Sequence, residues 1–314
     1  MSLIRVANAP CSYGAFEVTV GRLPNVPDAE EVLAAIASGG YEGTELGPPG
    51  YLGDGWVLRE RLERHGLELV AGFVPIRFSE REHIDEGLAT LEGTLDLFDA
   101  AGARARPVLA DAGSPEQWAH LGRRAALDEA GWRALADGVA RAAELARGRG
   151  FEPTFHHHTA SHVETPPEIE RLLELTDVGL LLDTGHLALG GGDPVQALRD
   201  WRERIDHVHV KDYRRSVLEA VIADRVGMEE AWRRGVFCEV GAGDLDLDTF
   251  VAELAASGYE GWLVVEQDRI PRTDEDPADA AEAQRRNRRW LAEHTGLYPY
   301  GTRRTKTPPP DSRP

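Results

Sequence analysis

Eight short apolar stretches alternate with helix-periodic segments along almost the whole chain, and this constrains the fold more than any other feature. The strand-like stretches are IRVANA (4–9), YEGTELG (41–47), LELVAGFV (67–74), ARARPVLA (103–110), EPTFHH (152–157), VGLLLD (178–183), IDHVHV (205–210) and GWLVVE (261–266). Amphipathic periods fall at 28–38, 80–101, 128–149, 166–176, 194–203, 246–257 and 277–293. Strands that alternate with helices pair in parallel through crossover connections. Eight such units in roughly 250 residues or more suit a closed (β/α)8 TIM barrel, an α/β single domain over 1–296. The competing doubly wound open sheet would carry a glycine-rich phosphate turn after its first strand, and ANAPCSYGAF is not one. AAIASGGYEGTELG (34–47) and AELAASGYEGWLVVEQD (252–268) echo each other: a helix ends on glycine, then a strand closes on Glu.

Two segments break the alternation. Residues 212–235 are long for a loop and helical in pattern, as expected of an insertion that lies over a barrel mouth as a lid. Residues 297–314 are basic and proline-rich with little to bury, and are expected to be disordered.

The formal net charge of −19 repels phosphate backbones and anionic lipid, so neither nucleic acid nor membrane is an expected partner. The N-terminal MSLIRVANAP lacks the apolar region of a secretory signal. The two cysteines, Cys11 and Cys238, cannot build a disulfide framework and fit a reducing cytosol. A cytoplasmic protein is expected, with homo-oligomerisation left open.

Of 11 histidines, seven lie between 156 and 209. The fifth strand ends in His156, His157 and His158; the sixth in Asp183, with His186 close behind; the seventh carries His207, His209 and Lys211; the eighth ends in Glu266 and Asp268. In a parallel barrel all C-terminal strand ends meet at one face, so these groups converge by topology. Alternation puts His156 and His158 on one face, His157 on the other, and His207, His209 and Lys211 together. Singly, each has an ordinary explanation: a strand-end histidine is commonly a hydrogen-bonded structural residue, and Asp183 could cap the next helix. Jointly, four unpaired polar ends at one rim would cost several kcal/mol unless a metal or substrate satisfied them. Mixed imidazole and carboxylate donors suit manganese, cobalt, iron or zinc better than calcium.

The motifs LLLDTGHLALGGGDP, IDHVHVKD, GYEGWLVVEQD and GYEGTELG resemble the sixth, seventh, eighth and second strands of the xylose-isomerase-like sugar phosphate isomerase/epimerase superfamily. The resemblance extends over 4–296 and is most specific from 151 to 268. Within it, FHHHTASHVETPPEIERLL followed by DTGHLALGGGDP looks most like the inosose (2-keto-myo-inositol) dehydratases. It implies one divalent ion, manganese or cobalt in preference to zinc or iron, on Asp183, His209 and Glu266. The first ligand of most members is a glutamate at the end of the fifth strand. Here His156 stands in that place, with His158 as a competitor.

The resemblance also sets an expectation for the reaction. Many members use two ligating glutamates to carry a proton between two faces of a carbon, and losing one argues against symmetrical epimerisation. A metal-dependent lyase acting on an inosose-like 2-keto-cyclitol is expected, by proton abstraction next to a carbonyl and loss of a β-hydroxyl. The alternatives are a ketose isomerase or 3-epimerase and a non-catalytic metal- and sugar-binding barrel. Glu266 is the leading base, with a neutral His157, His158 or His186 in reserve; a histidine or Lys211 would protonate the departing hydroxyl. Glu45, His158, His186, Lys211 and Asp268 would hold a polyol or keto-sugar. Trp56 and Trp262 could pack under a ring, and Arg77, Arg214, Arg215 and Arg225 could serve a phosphate.

Overall fold

Side-chain alternation sorts the strands into an outer face covered by helices and a narrow inner face. In the computed structural model, which describes residues 4–124 and 126–297, the strands are β1 (Ile4–Asn8), β2 (Gly43–Glu45), β3 (Glu68–Ile76), β4 (Arg106–Asp111), β5 (Thr154–His156), β6 (Gly179–Asp183), β7 (Ile205–Val210), β8 (Asp212–Tyr213), β9 (Phe237–Cys238) and β10 (Gly261–Val265). Eight of them close a parallel barrel in the order β1-β10-β7-β6-β5-β4-β3-β2. Leu180, Leu182, Val208, Val210, Leu263 and Val265 point outward into the main core under the helices. Ala7, Val108, Leu181 and Val264 form the small apolar plug inside. Residues two places beyond the plug therefore point inward at the C-terminal rim: Asp183 follows Leu181 and Glu266 follows Val264.

The register of β6 on β7 slips at one point. Leu180 pairs with Ile205, but Leu181 pairs with His207, so Asp206 is the extra residue. The slip makes both His207 and His209 face inward and brings Asp183 opposite His209. Asp206 is held at the other end of the barrel by Thr154 Oγ1 at 2.6 Å and Arg106 Nη1 at 2.9 Å. A Cβ at Gly179 would lie 2.0 Å from its Oδ2, so only glycine fits beneath the slip.

Every barrel strand is followed by a helix, including the expected ones at Ala29–Ser38, Ile84–Ala101, Glu129–Gly148, Pro166–Leu175, Pro194–Trp201, Leu247–Ala256 and Pro277–Thr295. The helix after β2, Gly55–His65, matches none of the expected amphipathic periods. It buries only Leu58 and Leu62, a stripe too thin to show as a period. The expected fifth strand is shorter than its sequence pattern, so His157 and His158 lie beyond its last residue.

The segment 212–235 forms β8 and the helices Arg215–Ala223 and Met228–Arg233, and the chain then returns through β9, antiparallel to β8. It has its own apolar core of Tyr213, Val221, Met228, Ala231, Trp232 and Val236 against Leu121, Ala188 and Ile270. Asp212 anchors it by accepting the backbone N–H groups of Tyr213, Gly241, Gly243 and Leu245 at 2.9–3.3 Å. Of the tail expected to be disordered, residues 298–314 lie outside the described residues. Among the described residues no helix is long and apolar enough to cross a membrane.

Candidate metal centre

Asp183 uses its two oxygens differently. Its Oδ1 caps the helix Thr184–Leu189 by accepting the His186 N–H at 2.8 Å. Its Oδ2 points into the barrel, 3.7 Å from His156 Nε2, 3.4 Å from His209 Nδ1 and 3.2 Å from Lys211 Nζ. Close approach at this turn requires Gly185, where a Cβ would come within 2.6 Å of the Lys211 Cβ and 2.8 Å of the Phe237 ring. His209 Nδ1 is also 3.0 Å from Glu266 Oε2. One donor atom each from His156, Asp183 and His209 lie within 4.8 Å of one another. The four residues expected as ligands thus meet at one end of the barrel.

The other expected site residues surround them. Lys211 is buried, with Nζ 2.8 Å from Glu266 Oε2 and 2.9 Å from Asp268 Oδ2. Glu45 Oε1 accepts N–H groups from His209 Nε2 at 2.9 Å and His207 Nε2 at 3.1 Å, so it is not a solvent-facing rim carboxylate. His158 forms a separate set with His156 and His186. Thr159 fixes both of the last two rings. Its carbonyl accepts from His158 Nδ1 at 2.7 Å, leaving the lone pair on Nε2. Its N–H and hydroxyl meet His186 Nδ1 at 3.4 and 2.9 Å, leaving the proton on Nε2, 3.4 Å from Asp268 Oδ2. His157 is set apart: it is fully buried, and its Nε2 accepts the Asp183 N–H at 3.2 Å.

Burial and charge oppose each other throughout. Burial disfavours ionised Asp183, but the Lys211 ammonium, helped by the neighbouring imidazoles, outweighs it and holds its carboxyl well below the usual range. Burial likewise disfavours charge on Lys211 and on His209. Asp183, Asp268 and Glu266 nonetheless raise the lysine, and Glu266 and Glu45 raise the imidazole. Burial pushes His156, His158 and His186 down, towards neutral imidazole.

His156 Nδ1 is buried without a hydrogen-bond partner, and Asp183 Oδ2, His209 Nδ1 and His186 Nε2 are buried with ion-pair contacts but no well-aligned hydrogen bond. Such clustering is costly in an apolar interior. Asp183 Oδ2 and His209 Nδ1 face each other across the space a cation would fill. The donor set, two imidazoles and two carboxylates, fits a divalent transition metal.

Above this floor lies a cavity of about 130 Å³. Glu45, His156, His158, His209, Lys211, Glu266 and Asp268 line it on the polar side. Phe16, Phe73, Trp118 and Trp232 form apolar walls. Phe16 stacks on Trp232 at 4.7 Å, and Trp118 meets Trp232 edge-on at 5.9 Å. Cys11 Sγ stands 3.6 Å from Glu266 Oε1. These aromatics and Cys11 escape sequence reasoning as site residues: Phe16, Trp118, Trp232 and Cys11 come from a loop or short helices with no period to betray them, and Phe73 reads as one more apolar residue of β3. Neither tryptophan considered for the site reaches the cavity: Trp56 is 72% exposed, and Trp262 packs on the Arg5 guanidinium. Among the described residues no arginine lines it. Arg77 bonds Glu80 and His83, and Arg214 bonds the Gly235 carbonyl.

The inosose dehydratase of Geobacillus kaustophilus (strain HTA426) is 35% identical over 252 residues, covering 77% of this chain and 80% of the relative. Among solved structures, the IolI protein with a bound zinc atom superposes with a TM-score of 0.68 at 16% identity, over 94% of this chain and 99% of its own. D-Allulose 3-epimerase from Methylomonas sp. in complex with D-allulose gives 0.67 at 15% identity, over 94% and 98%. Those two likenesses bear on the fold alone. The model of the xylose isomerase-like TIM barrel family matches residues 33–294, and the chain belongs to that family.

Proposed function

We propose that this chain is a divalent-metal-dependent lyase that dehydrates an inosose-like 2-keto-cyclitol. The observation that carries the reading is the convergence of two buried atoms, Asp183 Oδ2 and His209 Nδ1, 3.4 Å apart, with His156 Nε2 and Glu266 Oε2 beside them. His156, Asp183, His209 and Glu266 would hold the ion. Of the competing first ligands, His156 is favoured over His158, whose donor atoms group with His186 instead. Manganese or cobalt is the expected metal, and the zinc of the IolI structure is compatible with two imidazole donors. When bound, the ion supplies Lewis acidity at the substrate carbonyl.

The chain's own groups do the rest. Glu266 takes the proton from the carbon next to the carbonyl and returns it to the hydroxyl on the following carbon, whose C–O bond breaks as the C=C bond forms and which leaves as water. His158 lines the cavity, and its Nε2 lone pair would serve as a second proton acceptor. Lys211 stays cationic among three carboxylates and offsets negative charge that develops on the substrate. Only one of the four ligating groups is a glutamate, which favours removal of a proton from one face over exchange between two. A wall of aromatic rings opposite polar groups suits a polyol ring with an apolar C–H face. The insertion 212–235 contributes Trp232 to that wall and would act as a lid. The same features suit an enzyme that handles a small sugar-like molecule on a single catalytic barrel.

The test is incubation of the metal-loaded protein with 2-keto-myo-inositol in deuterium oxide. Metal-dependent loss of water is expected. Retained metal with neither elimination nor C–H exchange on any keto-inositol or ketose contradicts the proposal.

A further inference from the structure

Glu45 reaches across the barrel rather than along it. In the closed order, β1 and β10 separate β2 from β7, yet Glu45 Oε1 lies 2.9 Å from His209 Nε2 and 3.1 Å from His207 Nε2. A single carboxylate oxygen therefore accepts two imidazole N–H groups, and Glu45 is 6% exposed. A proton on His209 Nε2 leaves a lone pair on Nδ1, and Nδ1 is the nitrogen that faces Asp183 and Glu266. His207 is fully buried and does not line the cavity. Its N–H occupies the second acceptor direction of the same oxygen and stops the carboxylate from turning away.

We infer that Glu45 is a positioning residue of the metal centre, with His207 as its brace: it holds His209 in the tautomer and ring orientation that present Nδ1 to the ion. This departs from the substrate-orienting role its position at a strand end would otherwise imply. It rests on the proposed metal centre but on no step of the proposed reaction. A metal-binding imidazole commonly donates its far N–H to a carboxylate, and losing that partner typically lowers affinity by about 10- to 100-fold.

The experiment titrates Co2+ into the full chain against a chromophoric chelator, for wild type, E45A, E45Q and H207F, with the visible spectrum of the bound cobalt recorded each time. Long-range 1H–15N correlation spectra of the zinc-loaded proteins read the histidine tautomers. For E45A, affinity should fall by about 10- to 100-fold, the cobalt spectrum should shift, and His209 should no longer be fixed with its proton on Nε2. E45Q keeps the size and a weaker acceptor, so it should fall between E45A and wild type. Melting of the metal-free variants monitors the fold, so affinity is compared only between folded proteins; E45Q and H207F cover the case in which E45A does not fold. Folded variants that bind Co2+ as tightly as wild type with an unchanged spectrum overturn the inference and leave the metal centre standing. Wild type that binds no Co2+ overturns both.

Discussion

Asp183 serves His186 and His209 with different oxygens: Oδ1 caps the helix by taking the His186 N–H at 2.8 Å, and Oδ2 stands 3.4 Å from His209 Nδ1. Asparagine caps a helix about as well as aspartate, whereas alanine loses about 1 kcal/mol. D183N should therefore melt close to wild type without metal but retain no ion. D183A should lose the ion and also about 1 kcal/mol of stability. Calorimetry of the metal-free proteins beside elemental analysis separates the two oxygens.

Among the described residues, Lys211 is the sole ammonium beside Asp183, Glu266 and Asp268. Its replacement by Met leaves three buried carboxylates to repel one another, an uncompensated charge of the kind that costs about 3–5 kcal/mol. Added Mn2+ should recover part of this loss, because a divalent ion meets two of the same carboxylates. Thermal shift with and without Mn2+ reads the recovery, and a K211M melting point that ignores the ion would count against a shared site.

Trp232 ties the insertion to the cavity through its stack on Phe16. W232F keeps a ring there, so KM for a keto-inositol should rise several-fold with kcat nearly retained. W232A empties a buried site, which costs about 3–5 kcal/mol in a packed core. Steady-state kinetics for the first and hydrogen exchange over 212–235 for the second test the pair.

Asp212 accepts four backbone N–H groups from its own turn and from the loop 241–245. D212A leaves those amides unpaired, at about 1–3 kcal/mol for each that stays buried. Faster exchange should appear first at Gly241, Gly243 and Leu245, and uniform exchange across the chain would refute a local anchor.

Much of the barrel is legible in the sequence because two periods, 2 and 3.6, carry it. The rim residues Asp183, His209 and Glu266 are legible for the same reason, since each closes an alternating strand whose inner face is already fixed by Leu181 or Val264 or by the slip at Asp206. His157 and His158 strain that logic, because the ladder stops at His156 and the chain turns before them. The helix Gly55–His65 hides behind a two-leucine stripe. The aromatic wall is invisible for a different reason: Phe16, Trp118 and Trp232 come from three connections, and only closure of the barrel makes them neighbours. The bond from Glu45 to His209 spans 164 positions and two intervening strands, so no local pattern announces it.

The most direct measurement is anomalous diffraction from a crystal loaded with Mn2+ or Co2+. One peak is expected, bounded by His156 Nε2, Asp183 Oδ2, His209 Nδ1 and the Glu266 carboxylate. A loaded crystal whose only peaks lie elsewhere, or none at this point at full metal concentration, would contradict the account.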